Sequence, residues 1–116
     1  MLEAKYRLRK DSEIKRVFKS GKSHYGQFFI IKVLSNNLEF NRFCFIVSNK
    51  VTKKATKRNL LKRRMREIIR LNLGKISGNY DITVNTKTGE EILAKGYQEI
   101  ENDLLAILSK AKLFKK

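Results

Sequence analysis

The stretch that most constrains this chain runs from Ser48 to Leu73, SNKVTKKATKRNLLKRRMREIIRLNL. No acidic residue lies between Glu39 and Glu67, whereas Arg42, Lys50, Lys53, Lys54, Lys57, Arg58, Lys62, Arg63, Arg64 and Arg66 contribute ten positive charges there. A segment that was only charged would repel itself and stay unfolded. Here Leu61, Met65, Ile68 and Ile69 recur at helical spacing and can bury one stripe. At about 100° per residue these four fall within an arc of about 100°. Asn59, Lys62, Arg63, Arg66 and Arg70 fall within a second arc of about 100° beside it, with Arg58 on the border. The spacing predicts a helix with one face for a core and one for a polyanion.

The totals bound the partner. With 116 residues the chain suffices for one domain, 1–116, with a modest core. Its formal net charge of +16 disfavours the compact state through self-repulsion, so a partner of opposite sign is expected. A hydrophobic fraction of 41% argues for a folded domain over a basic tail. One cysteine excludes an internal disulfide and fits a reducing compartment. The opening residues lack the apolar run of a secretory signal, and no segment approaches the roughly 20 apolar residues of a membrane span. A cytoplasmic protein without a membrane partner is expected.

Taken in order, Asp11 and Ser12 offer an N-cap for a short helix, SEIKRVFKS, that ends at Gly21 and carries Ile14, Val17 and Phe18 on one face. A first strand spans Gln27 to Leu34, and a second spans Asn41 to Ser48. Alternation in the second puts Phe43, Phe45 and Val47 on one face and Cys44, Ile46 and Ser48 on the other. After the basic helix, Gly74 and Gly78 punctuate a loop before a third strand, Tyr80 to Thr86. Tyr80, Ile82 and Val84 point one way there, and Asp81, Thr83 and Asn85 the other. Thr88 and Glu91 have capping-box spacing, but Gly96 splits the region, so the last helix is expected to begin near Tyr97. Its core stripe is Tyr97, Ile100, Leu104, Ile107 and Ala111. The order is α-β-β-α-β-α, an α+β chain whose simplest assembly is a mixed sheet with helices on one face.

A helix bearing Arg58-Asn59, Lys62-Arg63 and Arg66-Glu67, entered from a strand ending Val47-Ser48, resembles the protein subunit of bacterial ribonuclease P. The likeness extends to the short helix ending in Phe18 and Gly21, the first strand, and Asp81-Ile82 after a glycine loop. It implies a two-layer α-β sandwich with a left-handed crossover at the basic helix. It also implies a protein that joins a catalytic RNA and promotes endonucleolytic removal of the 5′ leader from precursor tRNA, the RNA and its Mg²⁺ supplying the chemistry. On that reading Lys50, Lys53, Lys54, Lys57, Arg58, Asn59, Lys62, Arg63, Arg66 and Arg70 face RNA. Ile14, Phe18, Ile31, Cys44, Ile46, Ser48, Thr83 and Asn85 line a cleft for the single-stranded leader. The sequence departs from the family at Leu60, where an arginine is usual, and at Ile14 and Ile31, which stand for aromatics. Cys44 stands for a cleft glycine.

Other readings leave separate traces. Arginine's planar fork suits phosphate and Asn59 suits a base edge or sugar hydroxyl; the lesser alternative for Arg58 is a structural bond to a neighbouring carbonyl or carboxylate. His24 has no partner at ligand spacing, so neither a metal site nor a cofactor bound by the protein itself is expected. No nucleophile–base pairing or phosphate loop is present, so the polypeptide is expected to be catalytically inert alone. A helix-turn-helix repressor would need a second helix just before the basic one, where a strand ends instead. A membrane-surface helix would need a broad aromatic face. A ribosomal or general structured-RNA-binding protein remains the alternative on composition alone. No obligate protein partner is indicated.

Overall fold

The computed structural model describes residues 2–87, 89 and 91–115. Its regular elements follow one another as α1 (Asp11–Ser20), β1 (Lys22–Tyr25), β2 (Phe29–Ser35), β3 (Arg42–Ile46), α2 (Ala55–Asn72), β4 (Tyr80–Thr86) and α3 (Tyr97–Lys110). The strands form one mixed sheet in the order β1-β2-β4-β3. Neighbours are antiparallel except β3 and β4, which run parallel. A parallel pair needs a long crossover, and α2, with 18 residues, supplies it.

The third strand has its predicted bounds, and α3 begins at Tyr97 as its periodicity requires. The capping pair proposed for that region includes Thr88, which lies outside the described residues. β1 is an addition to the sequence reading. Its four residues, KSHY, show no alternation, and its turn is held from far along the chain. Both carboxylate oxygens of Asp103 on α3 accept main-chain N–H groups, from Gln27 and Phe28, at 2.8 Å each. α1 starts at Asp11, with Lys10 in the capping position and no side-chain cap. Asp11 and Glu13 instead sit in the first turn, where the helix dipole favours acids. At the other end Gly21 N–H donates to Val17 O at 2.7 Å, and a Cβ on Gly21 would come within 2.5 Å of that oxygen.

The core lies on one side of the sheet. Phe29 and Ile31 of β2, Phe43 of β3 and Ile82 and Val84 of β4 pack with Leu61, Met65, Ile68 and Ile69 of α2 and Ile100, Leu104, Ile107 and Leu108 of α3. Strand register carries one parity across, pairing Ile31 with Val84 and Phe43 with Ile82. Across β2, β4 and β3 the opposite face holds three rows: Leu34-Asp81-Arg42, Lys32-Thr83-Cys44 and Ile30-Asn85-Ile46. α1 packs there, against β2 and β4, so the helices do not share one face as the simplest assembly supposed. Val17 of α1 is fully buried yet stands apart from the main core.

A buried carboxylate fastens α1 to this second face. Asp81 is wholly inaccessible and accepts from Arg42 Nε at 2.8 Å and Nη2 at 2.7 Å, and from Asn36 Nδ2 at 2.9 Å. Arg42 Nη2 also reaches Glu13 Oε2 of α1 at 3.0 Å. The fork raises the Arg42 pKa through its bond to Asp81, with burial opposing and Glu13 assisting.

Candidate nucleic-acid interface

The basic helix is as two-faced as its spacing predicts. Leu61, Met65, Ile68 and Ile69 are buried, Asn59 and Arg63 are exposed, and Lys62 and Arg66 are half-buried along the β3 side. The helix start favours anions as well. Its first turn contains no acid and no side-chain cap, so main-chain N–H groups and Lys57 meet at the positive end of the dipole. Just before it, Lys50, Lys53 and Lys54 border an open depression of about 620 Å³ running along 49–54.

Two members of the predicted set are already engaged. Arg58 Nη1 donates to Thr52 O at 2.8 Å, so Arg58 takes the structural alternative and ties the preceding loop to the helix. Arg70 forms a two-pronged pair with Glu67, Nε to Oε2 at 3.0 Å and Nη2 to Oε1 at 2.6 Å. That pair holds the exposed Glu67 carboxyl below its ordinary range and raises Arg70. Arg70 thus adds little net positive field.

The cleft set divides more sharply. Ile14 and Phe18 on α1, and Cys44, Ile46 and Asn85 on the sheet, are half-buried and share the α1 face, as predicted. Ser48 lies beyond the end of β3, where its Oγ accepts from Lys50 N–H at 3.2 Å. Ile31 is a correction. It is 0% exposed and packs in the core, because its parity matches Phe29. The cleft-facing residues of β2 are Ile30 and Lys32. Thr83 is a second correction, since it has the right parity but is 0% exposed and its Oγ1 has no hydrogen-bond partner. The open floor is therefore the Ile30-Asn85-Ile46 row, with all three half-buried.

Sequence reasoning missed Lys32, because apolar residues occupy both parities of FFIIKV and alternation alone leaves the strand's faces open. Its Nζ donates to Phe18 O at 3.0 Å and lies 5.3 Å from the centre of the Phe18 ring. One face of that ring already carries a cation. Cys44 beside the floor is a partly buried thiol pushed up by burial, with the Lys62 ammonium pulling back. Apart from the Glu67 carboxylate paired with Arg70, the interface chemistry is thus cationic and neutral. Among the described residues no three His, Cys, Asp or Glu side chains converge, and no helix is long and apolar enough to cross a membrane.

Comparison with known proteins agrees with this geometry. A family model described as Ribonuclease P matches residues 2–112. The Ribonuclease P protein component of Fusobacterium nucleatum is 41% identical over 108 residues, covering 91% of this chain and 96% of that protein. The structure of the Staphylococcus aureus RNase P protein superposes with a TM-score of 0.85 at 28% identity, covering 95% of this chain and 98% of that one. That of the Thermotoga maritima RNase P protein gives 0.81 at 31% identity, covering 90% and 96%. With the two-faced helix, the mixed sheet and the floor beneath α1 all in place, the chain belongs to the ribonuclease P protein family.

Proposed function

We propose that the protein joins a catalytic RNA through the basic face of α2 and the lysines before it, and holds the single-stranded 5′ leader of precursor tRNA on the sheet floor beside α1. The observation that carries this reading is the contiguity of the two surfaces, since Lys62 of the helix and Cys44 beside the floor line one cavity. Cations along α2 displace condensed counterions and lower the repulsion between two RNAs. A half-buried floor of two apolar side chains and one amide, Ile30, Ile46 and Asn85, suits the bases of one splayed strand, with Phe18 as its stacking ring. The interface offers ammonium, guanidinium and neutral side chains, and its one carboxylate on α2, Glu67, is engaged by Arg70, a donor set that does not fit a divalent ion. Any Mg²⁺ would then be held by RNA phosphates, and the protein's part is to position the substrate and supply field. The assembly would act as an endoribonuclease in the cytoplasm, with no further protein partner required.

The test is cleavage of precursor tRNA at low Mg²⁺ by the cognate catalytic RNA with and without this protein. Stimulation is expected, along with tighter binding of precursor than of mature tRNA. Site-specific cutting by the protein alone, with contaminating nuclease excluded, would overturn the reading. Equal binding of precursor and mature tRNA would favour a general structured-RNA binder.

A further inference from the structure

The segment before α1 runs beside the outer edge of β3 and there meets α2. Arg7 bridges Phe43, and Leu8 N–H donates to Phe43 O at 2.8 Å, so Phe43 turns its main-chain groups outward. Phe45, two residues on, turns the same way, and the sheet has no strand beyond it. At this open edge lies a cavity of about 230 Å³ framed by Arg7, Arg9, Lys62 and Arg66, with Cys44 on the side of the floor. Among the described residues none of these four cations forms an ion pair. Arg7 is anchored in place, its Nε donating to Leu2 O at 3.1 Å, and Leu2 is buried in the core. Arg66 is half-buried, and its pKa is pressed down by burial first and by Arg7 and Arg63 next. Like charges crowded at a partly buried site are unfavourable unless an anion joins them.

We propose that this cavity is a phosphodiester seat. Arg7, Lys62 and Arg66 clasp one phosphate of a single RNA strand as it leaves the floor at Cys44 and turns onto α2, with Phe45 N–H as a further donor. The ligand's identity rests on the function proposed above, whereas the seat's chemistry does not. A free phosphate would satisfy the same groups, so the experiment separates the two sources.

In the first arm the full chain is titrated with inorganic pyrophosphate and followed by NMR at the Phe45 amide and the arginine Nε–H groups. Saturable shifts at Phe45, Arg7 and Arg66 are expected, and their loss in Arg66→Gln but not in the distant Lys112→Gln. Shifts spread evenly over 50–57 would overturn the seat. In the second arm a methylphosphonate is scanned through the leader of precursor tRNA bound to the holoenzyme. One position should weaken wild-type binding roughly tenfold, the order expected for a charged hydrogen bond, and have no effect in Arg66→Gln. Arg7→Gln combined with Arg66→Gln should lose little more than either alone, because both act on one phosphate. Additive losses would overturn the proposal. So would a flat scan beside a saturable pyrophosphate response, in favour of a free-anion site. Stability provides an independent check. Arg66→Gln relieves crowding of like charges and should melt at or above the wild-type temperature, whereas a structural arginine would lower it. Wild-type preference for precursor over mature tRNA is measured alongside. Its absence would sink the proposed function, and its presence with a flat scan would sink only the seat.

Discussion

Replacing Arg42 with Met would strand the Asp81 carboxylate, and the cost should exceed that of removing Asp81 itself. The asymmetry comes from burial. The Asp81 side chain is 0% exposed, whereas that of Arg42 retains 17%. In Arg42→Met the carboxylate loses contacts at 2.7 and 2.8 Å and keeps only the Asn36 amide at 2.9 Å and the Arg16 guanidinium at 3.9 Å. A buried charge deprived of its partner destabilises by about 3–5 kcal/mol. In Asp81→Asn, Arg42 keeps Glu13 at 3.0 Å and some contact with water, so a loss of about 1–3 kcal/mol is expected. For a chain of this length each kcal/mol lowers Tm by very roughly 3–6 °C, so the two variants should be resolved by melting. Urea unfolding followed by circular dichroism would give the energies, provided m is unchanged. Arg42→Met combined with Asp81→Leu removes both charges and should be more stable than Arg42→Met alone. An Arg42→Met variant milder than Asp81→Asn, or a double variant as unstable as the sum of the singles, would refute this reasoning. Because Glu13 belongs to α1, Arg42→Met should also loosen the helix that carries Phe18 and weaken leader binding more than binding of the catalytic RNA.

Ile31→Tyr should destabilise the fold by about 1–3 kcal/mol through overpacking, whereas Ile30→Tyr, on the open floor, should fold normally and tighten leader binding by adding a ring there; denaturation and precursor-versus-mature affinity check both. Arg63→Gln should flatten the dependence of log K on log salt for the catalytic RNA by about one. Arg70→Gln should flatten it less, because Glu67 already compensates that charge, and Glu67→Gln should strengthen binding. His24 has a pKa lowered by burial first and then by Lys22 and Lys110. Protonation is therefore harder in the folded state, and stability should fall as pH drops through its ordinary value of 6.5. His24→Gln should remove that part of the pH dependence, as melting at a series of pH values would show.

Elements whose burial follows a local period were legible in the sequence. The 3.6-residue stripe of Leu61, Met65, Ile68 and Ile69 determined α2 and its two faces, and the acid-free charge beside that stripe named its partner as a polyanion. The period-2 pattern of Tyr80 to Thr86 determined β4, and the stripe from Tyr97 determined α3. A period survives in the sequence because each residue's face depends only on its distance from its neighbours. What tertiary structure decided has no such local record. In the run FFIIKV apolar residues occupy both parities, so pairing with β4 was needed to send Ile31 into the core and Lys32 to the cleft. Thr83 keeps its parity but loses its access because α1 covers that face. The turn that follows β1 is capped by Asp103, far along the chain. Arg58 lies on the border of the helical pattern, and only the path of the preceding loop brings the Thr52 carbonyl to it. Arg7 lies in a segment with no period at all, and only the edge of β3 brings it to Lys62 and Arg66. Each of these depends on which distant group arrives at a given place, and packing alone sets that.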